Sequence, residues 1–153
     1  MTKNEQRLLS ELQSDSARSI AEVAQAVGMS SSATHRKMRA LEEDGTIQGY
    51  AARLDPRRLG LQMQVFVEIT LANQSHEAMD RFEEAARGFE EILSCHLLSG
   101  EADYMLRIAA RDLDHYDRIH RKALAKLPGV ATMKSSFSIR EVKPWSGYPV
   151  LVE

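Results

Sequence analysis

Apolar residues recur at helical spacing over the first third of the chain and then give way to alternation. Leu8, Leu9 and Leu12 share one face of a helix predicted over residues 5–13. A second helix opens at Ser19-Ile20-Ala21-Glu22, where Ser and Glu side chains can satisfy each other's unpaired backbone amides. Ile20, Val23, Ala24 and Val27 then fall at i, i+3, i+4 and i+7, a single apolar stripe. Gly28 ends it, because glycine takes the left-handed conformation of a tight turn without steric penalty. The triplet Ser30-Ser31-Ser32 offers a new N-cap, and a third helix runs towards Glu43 until Asp44-Gly45 stops it. Its inward stripe is Thr34, Met38 and Leu41, which leaves Ser32, His35, Arg36 and Arg39 outward. Residues 46–54 predict a short two-stranded wing containing Gly49, and Asp55-Pro56-Arg57-Arg58-Leu59-Gly60 breaks both periodicities as a linker.

From Met63 the period becomes two: Met63, Val65, Val67, Ile69 and Leu71 alternate with Gln64, Phe66, Glu68 and Thr70. Helical spacing returns at Met79, Phe82, Ala86 and Phe89. Strands follow at 92–98 and 104–110, joined by the polar turn Ser99-Gly100-Glu101-Ala102-Asp103. Asp112 caps a further helix expected to bury Leu113, Tyr116, Ala123 and Leu127, and Pro128-Gly129 closes it. The last strand is predicted over 132–140, with Met133, Phe137 and Ile139 on one face and Thr132, Lys134, Ser136 and Ser138 on the other. The order β-α-β-β-α-β predicts a four-stranded antiparallel sheet with both helices on one side, the ferredoxin-like arrangement. Phe66 then lies on the side the helices leave uncovered, which marks that face as an association surface.

Composition narrows this picture without redirecting it. A chain of 153 residues, 43% hydrophobic and 27% charged, is in the globular range. No apolar run approaches the roughly 20 residues of a membrane span. The opening MTKNEQRLLSELQ lacks the apolar core of a signal peptide, so the expected location is the cytoplasm, with no membrane partner. One cysteine, Cys95, excludes an internal disulfide framework. The net charge of −2 excludes a generic polyanion binder, but the charge is uneven. Residues 1–60 hold nine Lys/Arg against eight Asp/Glu, and the remainder eleven against fourteen. Between Ser30 and Leu41 stand His35, Arg36, Lys37 and Arg39 with no acid, and phosphate affinity depends on such local clustering.

That cluster lies where a helix-turn-helix places its reading helix. The motif needs two short helices crossing closely, hence a small residue in the first and a left-handed residue in the turn. Ala24 and Gly28 supply both. The helix that follows can enter a major groove, where short polar side chains and Arg meet base edges and phosphates. A plain helical pair with a solvated basic face would share the Ala and Gly spacing. The acid-free helix, the capping box and the wing favour DNA binding. The fold class is therefore α+β: a winged helix-turn-helix at 1–54, a linker at 55–62, a ferredoxin-like domain at 63–141 and a tail at 142–153.

Over nearly its whole length the sequence resembles the Lrp/AsnC family, also called feast/famine regulatory proteins. The matching stretches are IAEVAQAVGMSSSATHRKMRALEEDGTIQGY, LDPRRLGLQMQVFVEITL, EEILSCHLLSGEADYMLRIAARD and LPGVATMKSSFSIREVK. The resemblance implies a DNA-binding transcriptional regulator that forms homodimers assembling to tetramers or octamers and senses an amino acid or related metabolite between dimers. It assigns double-stranded DNA contact to Ser31, Ser32, His35, Arg36, Lys37 and Arg39. It assigns effector contact to Ser99, Gly100, Glu101, Asp103, Tyr104, Thr132, Ser135 and Ser136. The chemistry agrees, since a free amino acid asks for a carboxylate opposite its ammonium and for hydroxyl or N–H donors opposite its carboxylate. Two departures stand out: Gly100-Glu101 replaces the usual Gly-Asp, and Met1-Thr2-Lys3-Asn4-Glu5 replaces the usual Leu-Asp-x-x-Asp, so the first helix is expected to be anchored differently.

No cofactor and no enzymatic activity are expected. No nucleophile–base pattern, phosphate loop or CxxC is present, and His115 and His120 are five apart, off a common helical face. A nucleoid-organising protein with little site preference is the alternative function. Cys95 alternates with Leu93 and Leu97 and is expected to be a buried packing residue. Trp145 and Tyr148 in the tail either pack on a neighbouring subunit or hang loose.

Overall fold

The computed structural model describes residues 1–150, and the chain divides into two compact units. The first joins residues 1–53 to residues 142–150; the second is Leu54–Glu141. The tail thus groups with the N-terminal unit, and its residues 151–153 lie outside those described.

The N-terminal unit holds three helices: α1 (Lys3–Ser14), α2 (Ile20–Val27) and α3 (Ser31–Glu43). Helix α1 starts earlier than the apolar pattern suggests because Thr2 caps it. The Thr2 amide donates to Glu5 Oε2 at 2.6 Å and the Glu5 amide to Thr2 Oγ1 at 3.3 Å, a reciprocal box. Ser19 and Glu22 repeat the device on α2, and Gly28 ends it at φ 72°. Leu8, Leu9, Leu12, Val23, Val27 and Leu41 close one core, with Met29, Met38 and Ile47 packed against it. The predicted two-stranded wing does not form. Residues 46–54 contain no strand and no ladder partner among the described residues, and Gly49 within them takes a positive φ of 151°. Tyr50 instead pins this segment to α3 by donating to Glu42 Oε1 at 2.9 Å; burial and that acceptor push its hydroxyl pKa up to about 12.

The second unit is built on β1 (Met63–Leu71), α4 (His76–Arg87), β2 (Ile92–Leu97), β3 (Tyr104–Ala110), α5 (Leu113–Lys122) and β4 (Val130–Phe137). The strands pair antiparallel in the order β2-β3-β1-β4, which is the ferredoxin-like arrangement. Val65, Val67, Ile69, Leu106 and Ile108 meet Phe82, Ala86, Tyr116, Ile119 and Leu124 in a second core. Several boundaries differ from expectation: α5 stops at Lys122, a separate 3-10 turn at Leu124–Lys126 fills the rest of the span to Pro128, and β2 ends one residue early at Leu97. Strand β4 starts earlier, where a register shift at Thr70/Leu71 sets Leu71 opposite Val130, and it ends at Phe137. Ile139 therefore lies beyond the strand, 99% exposed. Leu113, expected to be buried, is 64% exposed, since Tyr116 and Ile119 define the face that α5 turns inward.

Candidate functional site

Two places concentrate chemistry. The first is the outer surface of α3. Ser30 caps it, its hydroxyl accepting the Ala33 amide at 3.3 Å, and no acid stands in the first turn. Thr34 and Leu41 are buried and Met38 partly so, which turns Ser31, Ser32, His35, Arg36 and Arg39 to solvent. Neither Arg36 nor Arg39 has an ion-pair partner among the described residues, so the unneutralised cations stand together on one face.

Lys37 departs from the predicted set. Its ammonium donates to Glu5 Oε1 at 2.8 Å, which draws it back across α1. The Lys37 hydrogen bond and the Thr2 amide lower the Glu5 pKa from 4.5 to about 2. Glu5 thus has two roles, cap and counter-ion, and the Thr2-x-x-Glu5 spacing was a readable signal for the first. A carboxyl whose folded pKa is depressed stabilises above its unfolded value and loses that contribution as pH falls through the folded one. Lys37→Met is therefore expected to lower the melting temperature near neutral pH. The gap to the parent should narrow below about pH 4.5 and close near pH 2, measured by thermal denaturation across pH.

The second place is the β2–β3 loop and what surrounds it. Ser99, Gly100 and Glu101 are exposed. Gly100 has an ordinary φ, and a Cβ there would meet nothing within 4 Å, so no contact among the described residues demands glycine. Asp103 and Tyr104, by contrast, serve the fold. The Asp103 carboxylate accepts the Leu71 amide and the Gln74 Nε2, each at 2.7 Å, and its own amide donates to the Ile69 carbonyl. Tyr104 is 1% exposed; its hydroxyl donates to Glu83 Oε1 at 3.0 Å, and burial with that acceptor pushes its pKa far up. The final-strand residues divide by parity. Ser135, opposite Val67, faces the helices and exchanges a hydrogen bond with the Tyr116 hydroxyl. Thr132 and Ser136 lie on the uncovered face. Thr132 pairs with Thr70 at the loop's end of the sheet, while Ser136 pairs with Phe66, four residues or roughly 13 Å further along. One chain therefore brings Ser99, Gly100, Glu101 and Thr132 to one end of the sheet, and leaves Ser136 apart.

Cys95 corrects a further expectation. It sits on the helix side of the sheet opposite Leu106, but β2 is an edge strand and the thiol is exposed.

Each of these two places lies within a stretch that a family model matches. A family model described as winged helix-turn-helix DNA-binding matches residues 1–48, and one described as Lrp/AsnC ligand binding domain matches residues 64–147. The chain belongs to the Lrp/AsnC family. It is 40% identical over 144 residues to the Bkd operon transcriptional regulator of Pseudomonas aeruginosa, covering 94% of each chain. Its structure resembles that of an AsnC family transcriptional regulator from Agrobacterium tumefaciens (32% identity, 98% and 97% coverage, TM-score 0.93). It also resembles a transcriptional regulator from Neisseria meningitidis solved as an L-methionine complex (29% identity, 98% and 97% coverage, TM-score 0.92). The protein is thus a transcriptional regulator with a helix-turn-helix DNA-binding part and a ligand-binding part. Within that frame, sequence reasoning missed Glu5, Gln13 and Glu83, whose partners are 32, 135 and 21 residues away.

Proposed function

We propose that the protein recognises particular operator sequences, and that an amino acid or related metabolite bound at the ligand-binding unit modulates this recognition. The observation that carries the reading is the exposed, unneutralised Arg36/Arg39 face of a helix that follows a left-handed glycine turn. Ser31 and Ser32 stand at that helix's N-terminus, where free amides and the helix dipole favour a phosphate. His35, Arg36 and Arg39 reach base edges or the flanking backbone. Lys37 supports the helix from behind rather than contacting DNA.

On the ligand-binding unit, Glu101 receives the effector's ammonium, and Ser99 and Thr132 offer hydroxyls to its carboxylate. Asp103, Tyr104 and Ser135 hold the loop and strand in place. The open space around Gly100 is reserved for the ligand or for a second copy of the chain, which also brings Ser136 into reach. Homodimers and larger assemblies fit two surfaces left bare in one chain: the sheet face carrying Phe66 and Met105, and edge strand β2 with exposed Leu93 and Leu97. The L-methionine complex of the Neisseria relative supports an amino acid as the class of effector.

The test has two arms. At fixed salt, DNA from upstream of the protein's own gene is expected to bind more tightly than the same DNA scrambled; equal affinities favour the nucleoid-organising alternative. In thermal-shift titrations against the twenty amino acids, at least one is expected to stabilise the parent and to lose that effect with Glu101→Ala. No shift from any of them would remove the amino-acid reading.

A further inference from the structure

The end of the chain is built into the DNA-binding unit by contacts that need particular residues. The Gln13 side chain pairs with both backbone polar groups of Tyr148: the Tyr148 amide donates to Gln13 Oε1 at 2.7 Å, and Gln13 Nε2 donates to the Tyr148 carbonyl at 3.0 Å. A side chain thus supplies the two-bond exchange that strand partners make in a ladder. Gly147 permits the approach. It lies at φ 106°, a conformation that strains any other residue, and a Cβ there would stand 2.5 Å from Gln13 Oε1 and 2.9 Å from Gln13 Cδ and so push the Gln13 side chain off the Tyr148 backbone. Val150 packs against the core that α1 shares with α2 and α3. Trp145 meets Tyr148 edge-on with ring centroids 5.9 Å apart, and the Arg53 guanidinium carbon lies 5.8 Å from the Trp145 ring centre.

The chain leaves this unit after Arg53 and returns to it at Val142. Arg53 and Trp145 therefore stand beside the two crossings, and the cation–π contact joins one to the other. We propose that residues 145–150 form a strap, clasped by Arg53, that tethers the ligand-binding unit to the DNA-binding unit by two chain segments instead of one. Units joined by a single polar linker reorient freely. Two segments clasped at their roots remove much of that freedom, so that a displacement at the end of β4 is transmitted to the helix-turn-helix. The strap does not depend on which ligand or DNA sequence the protein recognises, and its test uses neither.

Trp145 is the chain's sole tryptophan, so its time-resolved fluorescence anisotropy in the full chain reports docking directly. In the parent the ring is expected to rotate with its unit. Gln13→Ala is expected to add a dominant sub-nanosecond component. Nitrogen-15 relaxation of α2 and α3 amides then reads the mobility of the whole DNA-binding unit. Gly147→Val and Arg53→Ala are each expected to shorten the correlation time of those helices and to leave that of β1 and β3 unchanged. Arg53→Ala changes an exposed side chain and keeps the test valid if Gly147→Val disturbs folding. A parent whose Trp145 depolarises as fast as Gln13→Ala overturns the docking. Release of Trp145 with no change in the correlation time of α2 and α3 overturns the clasp.

Discussion

Replacing Arg36 and Arg39 together by Ala is expected to weaken binding to the upstream DNA by about a hundredfold or more at fixed salt. A guanidinium that meets a base edge contributes about 1–3 kcal/mol, and 1.4 kcal/mol is tenfold in affinity. Both side chains are exposed and unpaired among the described residues, so their loss leaves no buried group unsatisfied. Stability should stay within about 0.5 kcal/mol of the parent, as for other surface substitutions. Lys37→Ala is the control with the opposite profile: it leaves Glu5 without its counter-ion and acts on the fold before it acts on DNA. Salt separates the arginines' roles. One that contacts phosphate lowers the slope of log affinity against log salt by about one when removed; one that reads a base leaves the slope and narrows the gap between upstream and scrambled DNA. A double variant that binds upstream DNA within about threefold of the parent, a loss of under 1 kcal/mol, would mean that α3 is not the helix in the groove.

The parts of this protein legible in its sequence are those governed by rules acting over a few residues. Ser19 and Glu22, Gly28, and the alternation from Met63 to Leu71 each determine their local geometry within one or two turns or strand pairs. The sheet order followed because two βαβ units in tandem have few ways to close. Parity then assigned Cys95 to the correct side of the sheet but not its burial, because alternation says which side a residue faces and not whether a helix lies over it. The wing failed for a similar reason. The sequence of residues 46–54 suits a short strand pair, but a strand exists only where a second segment offers its amides and carbonyls, and here Tyr50 is held by Glu42 instead.

The candidate site divides along the same line. Arg36 and Arg39 face outward by helical period alone. Lys37, one position away, was drawn inward by a carboxylate 32 residues distant. In the β2–β3 loop, an acid at 101 and an acid at 103 look equivalent in sequence. Asp103 is spent on the Leu71 amide and Gln74, while Glu101 is left to solvent. The tail is the extreme case, since nothing near Tyr148 announces Gln13, its partner from 135 residues earlier.

Phe82→Ala is expected to be the most damaging single change in the ligand-binding unit. The ring is fully buried, and its centroid lies 4.5 Å from that of Tyr104 at an interplanar angle of 33°. Deleting a buried aromatic side chain costs about 3–5 kcal/mol through lost transfer energy and the cavity left behind. Domains of this size hold only about 5–15 kcal/mol in total. At about 4–8 °C per kcal/mol, the melting transition of this unit should fall by more than roughly 10 °C. Phe82→Leu keeps most of the volume and should cost less than half as much. The damage reaches the site because Tyr104 follows Asp103 directly and carries the loop's C-terminal end into the core. With Phe82 gone, Tyr104 loses the ring it packs against, although the Glu83 hydrogen bond and the strand pairing remain. The variant should therefore lose ligand-dependent stabilisation even at temperatures where it remains folded, whereas Phe82→Leu should retain it. The DNA-binding unit has a core of its own, built from Leu8, Leu12, Val23 and Leu41, so its α-helical signal should survive the loss of ligand-dependent stabilisation. If Phe82→Ala abolishes both together, the two cores fold as one cooperative system and the separation of roles argued from them fails.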